Sequence, residues 1–295
     1  MTAVQRAYIE LHVAVLLYGL TAILGDLIQL TALSLVWWRV LITSLSLLFL
    51  IRVFRLFKEI PARVILQFMG IGVLVAMHWV CFYGAIKLAN ASISLICMAT
   101  TSLFTSILEP LIMQTKVKGY ELILGLLIIP GMILIVNNVD FSMMNGIWVG
   151  LLAAALAALF GTLNKKMVGK TNEKNITFLE LGSAWIFLSF VLPLFVLFSE
   201  ESIQFWPSTI DWIYLIILSL LCTTLAYILS LRALHHLSAF AANLTINLEP
   251  VYGIILAFIF LDDHKELNLN FYFGVGIILF AVFSYPFLRK RFQPK

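Results

Sequence analysis

Long apolar runs, separated by short polar segments, follow one another along the whole chain. A bilayer core about 30 Å thick requires roughly 20 apolar residues in each spanning helix. Runs of this kind lie at 9–30, 34–53, 64–86, 91–113, 120–138, 146–164, 176–198, 212–233, 238–260 and 270–288 of the 295 residues. The pattern predicts an all-α polytopic membrane protein with ten transmembrane helices.

Composition and loop charge support this prediction. Hydrophobic residues make up 62% of the chain and charged residues only 12%, which excludes an ordinary soluble protein. If the ten helices begin and end in the cytoplasm, all 19 lysine and arginine residues except Arg39, Lys87 and Lys265 lie on the cytoplasmic side. That bias is typical of cytoplasmic loops, so both termini are predicted to be cytoplasmic. Outside the spans, no basic stretch with interleaved aromatic residues indicates a nucleic-acid partner.

The two halves of the chain resemble each other around a boundary near residue 140. The stretch AIKLANAS begins at Ala85 and corresponds to ALHHLSAF, which begins at Ala233, an offset of 148 residues. We therefore predict two repeats, 1–140 and 141–295. Because each would contain an odd number of helices, the second repeat would be inverted relative to the first, as in many secondary transporters.

An acid followed by proline interrupts the apolar runs twice. The two pairs are Glu109-Pro110 and Glu249-Pro250. The repeat offset aligns Glu249 with Thr101, so the pairs are not repeat equivalents. Glu249 is predicted near the middle of its helix, whereas Glu109 is predicted to be a surface acid near the cytoplasmic end of another. Proline has no N–H to donate, so Pro250 is predicted to free the carbonyl four residues earlier and to kink the helix.

Polar and aromatic residues inside the predicted spans are the candidates for a substrate pathway. An ionisable group in the bilayer costs about 2.5 to 3.5 kcal/mol on insertion scales, so such groups tend to face a cavity or a partner. Aromatic rings can stack on planar or cationic substrates. The predicted pathway residues are Glu249, Pro250, Asn243, Asn247, Tyr252, His78, Trp79 and Tyr83. Two alternatives stay open: Glu249 as an acid buried for packing specificity, and the aromatic rings as anchors at the bilayer interface.

Charged residues in the outer and inner thirds of the spans predict two ion pairs that would gate opposite faces. Asp26 and Arg39 lie on consecutive predicted helices joined by a short turn, so pairing would lower the cost of inserting each charge. In the inverted half, Glu180 is predicted to pair with Lys166 or its neighbour Lys165. An alternative role for Arg39 is to hold the carboxylate of a substrate.

Two segments carry a resemblance to a known family. The run ALHHLSAFAANLTINLEPVYGIILAFIFLDD at 233–263 resembles the A-L-x-x-L-S-A, E-P-V and L-x-x-x-E pattern of the EamA-like permeases of the drug/metabolite transporter superfamily. WWRVLITSL at 37–45 is similar to the family's F-W-R near the start of the second helix. The sequence departs from the family at Ser102, where a proline is expected, and at 262–263, where two aspartates replace the usual acid. The resemblance implies a bacterial inner-membrane carrier of small metabolites, often an exporter.

The sequence lacks the short motifs of several enzyme and nucleotide-binding classes. The chain has no HExxH or G-x-S-x-G element, so no enzyme is predicted. It has no nucleotide-binding motif either, and no cofactor or metal is predicted. We expect a secondary transporter of small organic metabolites, such as amino acids, that works by alternating access; the alternative is a channel or a receptor-like membrane scaffold. The predicted partners are a small-molecule substrate and the lipid bilayer. Proton coupling, for which Glu249 is the candidate, and the oligomeric state stay open, and a monomer is compatible with the sequence.

Overall fold

The fold is entirely helical in the residues that the computed structural model describes, which are 1–135, 143–198, 204–249, 251–252 and 269–292. The first half contains α1 (Ala3–Leu27), α2 (Ala32–Leu48), α3 (Val53–Glu59), α4 (Ala62–Leu88), α5 (Ala91–Ala99), α6 (Thr101–Met113) and α7 (Gly119–Ile135). The second half contains α8 (Met144–Met167), a 3₁₀ turn (Val168–Lys170), α9 (Glu173–Phe198), α10 (Thr209–Ser219), a π-helical segment (Leu220–Leu225), α11 (Ala226–His236), α12 (Ala239–Ile246) and α13 (Leu269–Phe292).

Short polar side chains fix where several helices begin. A hydroxyl or amide oxygen at the N-cap accepts a hydrogen bond from a backbone N–H of the first turn, which has no partner inside the helix. This bond reaches the residue three positions further on at Thr31, Asn90, Ser208 and Ser238. These caps allow the chain to reverse direction in loops of only a few residues.

The membrane-spanning character of the chain is confirmed, but the number ten is not. Among the described residues, seven helices are long and apolar enough to cross a membrane, or eight if α2 and α3 count as one span. α5 and α6 join into one span, as do α10 and α11, and α7 is a shorter apolar helix. The ninth predicted run, 238–260, lies partly outside the described residues, so ten helices stay a prediction.

The packing interleaves the two halves. α4 packs extensively against α8 and α9, α1 against α11, α2 against α9, and α7 against α13. Each of these pairs joins a helix of the first half to a helix of the second. The shared core therefore lies largely between the halves.

One of these contacts is a backbone-to-backbone approach at Gly72 of α4. A Cβ placed there would overlap the carbonyl oxygen of Glu180 and the hydroxyl of Ser183, both on α9. The Ser183 hydroxyl donates to the carbonyl of Met69 at 3.1 Å, which ties the same two helices together. Small residues let helices in a membrane approach in this way. Gly70, two residues earlier, has nothing within 4 Å of such a Cβ.

Gly72→Ala is expected to destabilise the protein by about 1–3 kcal/mol, because overpacking a close contact forces the backbones apart. The midpoint of thermal unfolding of the protein in detergent should fall. Gly70→Ala is the matched control, since its added methyl group meets open space, and its midpoint should stay unchanged or rise slightly. Equal shifts in the two variants would show that the α4–α9 approach does not limit stability.

Candidate functional site

A cavity of about 140 Å³ lies between the two halves. Its walls come from α1, α2, α4 and the α5–α6 span of the first half, and from α8, α11 and α12 with the turn that follows α12 in the second. Apolar residues form much of the surface. The polar and aromatic side chains in the wall include those of Tyr18, Thr21, Arg39, His78, Trp79, Thr101, Asn164, Tyr227, Ser230, Asn243, Asn247 and Glu249.

The polar residues predicted around the second acid-proline pair lie in this wall and bond across to the first half. Nδ2 of Asn243 donates to the hydroxyl of Thr105 at 2.7 Å, and Nδ2 of Asn247 donates to that of Ser102 at 3.1 Å. The hydroxyl of Thr21 on α1 donates to the carbonyl of Tyr18 at 2.7 Å and lies 3.4 Å from Oε1 of Glu249. All three predicted residues are buried. They thus combine a position at the cavity with a structural link between the halves.

Pro250 lies outside the described residues, so its predicted effect on the helix is not described. α12 ends at Ile246, before the proline, and the backbone N–H of Asn247 still bonds to the carbonyl of Asn243 at 3.3 Å. The short helix α12 therefore ends at the cavity wall, three residues before Glu249.

The predicted aromatic group divides into two. His78 and Trp79 lie in the cavity wall, and Nδ1 of His78 bonds to the carbonyl of Ala153 on α8 at 2.8 Å. Tyr83 and Tyr252 are not among the wall residues, so their predicted place on the pathway stays a prediction. Tyr83 is buried behind the wall, and the Tyr252 hydroxyl bonds instead to Nδ1 of His12 on α1 at 2.9 Å.

Arg39 is a buried cation in the cavity wall, and the predicted pair with Asp26 does not form. Its Nε donates to the Thr223 hydroxyl and its Nη1 to the Tyr83 hydroxyl, both at 2.7 Å. The guanidinium carbon lies 3.9 Å from the centre of the Trp79 ring, a cation–π geometry. Asp26 is exposed in the last turn of α1. The predicted pairing was wrong because Arg39 bonds to two neutral hydroxyls and lies over an aromatic ring instead of meeting an acid.

The predicted Glu180–Lys166 pair does not form either. Glu180 is wholly buried, and its Oε2 accepts from the Tyr227 hydroxyl at 2.5 Å and from Nδ2 of Asn164 at 3.2 Å. Lys166 donates to the carbonyl of Ile112, and Lys165 donates to that of Leu234, at 3.1 and 2.6 Å. Those carbonyls lie in the last turns of α6 and α11, where carbonyls lack helical partners and attract cations.

Glu109 was predicted to be a surface acid, but it is buried. Its carboxylate accepts the backbone N–H groups of Ala239 and Phe240 at 3.0 and 2.7 Å. These are the first two residues of α12, so a negative charge from the first half caps the positive end of a helix in the second. The bond positions α12, which carries Asn243 into the cavity wall.

Several cavity residues are neutral polar side chains that the sequence analysis does not identify. Tyr18 and Ser230 bond to each other through their hydroxyls at 2.9 Å, and Asn164 and Tyr227 connect the wall to Glu180 behind it. A polar residue inside an otherwise apolar run was the signal available for Asn164 and Ser230, as it was for α12.

These features define a helical membrane protein with a largely apolar cavity between two interleaved halves, in whose wall several polar and charged side chains lie. The chain belongs to the EamA-like transporter family, a family of membrane transporters in the drug/metabolite transporter superfamily, whose model matches residues 5–137 and 144–285. The two matched segments agree with two repeats.

A solved structure, titled only as the crystal structure of a protein, shares the fold. It aligns with a TM-score of 0.74 and 12% sequence identity, over 97% of this chain and 98% of that chain. A search of curated proteins finds no match to this chain.

Removing the charge of Glu109 should loosen α12. We expect Glu109→Gln to lower the free energy of unfolding by about 1–3 kcal/mol, because a buried charge-assisted bond to a helix N-terminus is lost. The control is Glu59→Gln. The Glu59 side chain is 57% exposed in its ion pair with Arg55, and such surface pairs contribute at most about 1 kcal/mol. Thermal unfolding in detergent compares the two; a smaller shift for Glu109→Gln than for Glu59→Gln would contradict the capping role.

Proposed function

We propose that this protein is a secondary transporter that exports small organic metabolites, such as amino acids, by alternating access. It acts in the bacterial inner membrane, with ten spanning helices and both termini in the cytoplasm. The observation that carries the proposal is the cavity between the halves, in whose largely apolar wall the charged side chains of Arg39 and Glu249 lie.

The position of the cavity supports a carrier. Carriers built from repeats bind their substrate at the interface between the repeats. Here the wall takes side chains from both halves. A volume of about 140 Å³ is close to that of an engineered protein cavity of about 150 Å³ that holds benzene, so the site suits a small solute.

The charges in the wall support a zwitterionic solute. Arg39 offers a guanidinium to a carboxylate, and Glu249 offers a carboxylate to an ammonium group. An amino acid carries both groups, and the many hydroxyls in the wall can bond to either. If transport is coupled to protons, Glu249 is the residue that we propose to bind them.

Contacts between the halves support rocking about the cavity. The backbone N–H of Gln29 donates to Asp211 at 3.0 Å, and Nε1 of Trp38 donates to the carbonyl of Phe205 at 2.8 Å. By the predicted topology these bonds lie on the outer side, whereas Glu109 bonds to α12 on the cytoplasmic side. Opening one side would break one set and leave the other in place.

Counterflow of labelled amino acids in proteoliposomes tests the proposal. The wild-type protein, reconstituted with an internal pool of mixed unlabelled amino acids, should exchange at least one labelled amino acid with saturable kinetics. Glu249→Gln and Arg39→Gln are each expected to lower that exchange at least tenfold, because each removes a charge that would bind the solute.

The control is Glu59→Gln, which removes an exposed acid that does not line the cavity and should leave exchange unchanged. Glu109→Gln is unsuitable as a control because Glu109 caps α12. Wild-type rates of exchange in both cavity variants would refute the assigned site. Flux that does not saturate would indicate a channel, and no flux with any amino acid would refute the proposed solute class.

A further inference from the structure

α3 lies at a steep angle to α2, an apolar helix that is predicted to cross the membrane. It is bent by 89° from α2 after a short break in the helix. Spanning helices tilt by about 20° on average from the bilayer normal. If α2 crosses the membrane, α3 therefore lies close to the membrane plane, at the level of the lipid headgroups.

The sequence of α3 is amphipathic. At about 100° per residue, Leu56, Val53, Phe57 and Phe54 fall on one continuous arc, and Lys58, Arg55 and Glu59 on the other. Leu56 is only 2% exposed and holds the helix against the body of the protein, whereas Phe54 is 96% and Phe57 55% exposed. Phe49, just before the bend, is also exposed. The described part of the chain leaves Phe54 and Phe49 almost uncovered and Phe57 about half covered.

The polar arc and its flanks are basic. Arg52, Arg55, Lys58 and Arg63 are all exposed. Glu59, the acid of this segment, is paired with Arg55 at 2.5 Å. Arg52 and Arg55 also line a groove between α3 and the start of α9, to which Lys174 adds a further cation and Glu59 and Glu173 add two acids.

We propose that α3 is an interfacial helix that binds anionic phospholipids of the surrounding membrane. Helices of this kind lie in the interface with aromatic residues inserted below the headgroups and basic residues toward the headgroups and water. The exposed phenylalanines match the apolar part of the lipid, and the excess of positive charge matches an anionic headgroup. The proposal does not depend on what the cavity transports.

Native mass spectrometry of the full chain in detergent tests the lipid preference, with dioleoylphosphatidylglycerol and dioleoylphosphatidylcholine added in equal amounts. The wild-type protein should bind the anionic lipid preferentially. Basic residues near a membrane surface contribute on the order of fivefold each, so the combined variant Arg52→Gln, Arg55→Gln and Lys58→Gln should reduce the preference at least tenfold.

The matched control is Arg289→Gln, Lys290→Gln and Arg291→Gln, which removes as many charges from the last turn of α13 and should reduce the preference less than threefold. Equal losses in both variants, or no preference in the wild type, would overturn the proposal. Displacement of the lipid by inorganic phosphate would indicate a simple anion site, and a dimer that masks the lipid binding would indicate a second copy; either result also overturns it.

A second measurement tests the orientation of α3 without altering the three basic residues. A nitroxide is attached at Phe54→Cys in phosphatidylglycerol liposomes, in a chain whose native Cys81, Cys97 and Cys222 are replaced by alanine. The label should collide mainly with oxygen dissolved in the bilayer. The same label at Val53→Cys should behave similarly, whereas at Lys58→Cys it should collide mainly with a water-soluble nickel chelate. The same accessibility at 54 and 58 would refute the interfacial placement.

Discussion

A guanidinium buried between membrane-spanning helices constrains how the two halves fit together. Arg39 enters from α2, meets Tyr83 and Trp79 on α4, and reaches Thr223 in the second half. Because such a charge is expensive to bury without partners, these three partners must stay in place together. The arginine thus joins two helices of the first half to the segment between α10 and α11.

That segment, Leu220–Leu225, is π-helical. Hydroxyl-to-carbonyl bonds accompany its wider turn. The hydroxyls of Thr223 and Thr224 donate to carbonyls five residues earlier, those of Leu218 and Ser219, at 2.7 and 3.0 Å. The carbonyl of Ser219 also accepts the hydroxyl of Thr43 on α2 at 3.1 Å. The widened turn places Thr223 to receive Arg39. π-Bulges are frequent at functional sites, and here the bulge bonds to Arg39, which lies in the cavity wall.

Three features of the sequence predicted much of the structure. Long apolar runs predicted a membrane protein, the similarity of the two halves predicted repeats, and polar residues within apolar runs predicted part of the cavity wall. Asn243, Asn247 and Glu249 stand out because polar residues are rare in an apolar run, and they do lie in the wall. The ion pairs failed because sequence shows charge but not the neutral partners that can satisfy it, such as the hydroxyl of Tyr227 for Glu180. Glu109 was misjudged because its partners are backbone N–H groups about 130 residues away, which no side-chain pattern reveals.

Two buried acids, Glu249 and Glu180, lie at different depths from the cavity. Glu249 lies in the wall, whereas Glu180 lies behind it and reaches it through Tyr227 and Asn164, which are both wall residues. The ring of Tyr227 also meets that of Trp79 edge-on, with centroids 6.4 Å apart, and Arg39 lies over Trp79. A solute that displaced Tyr227 would therefore disturb the bond to Glu180 and the ring that supports Arg39 at once. If a solute binds in the cavity as proposed, its binding would in this way be connected to the packing of α4 against α9, where Gly72 lets the two helices approach closely.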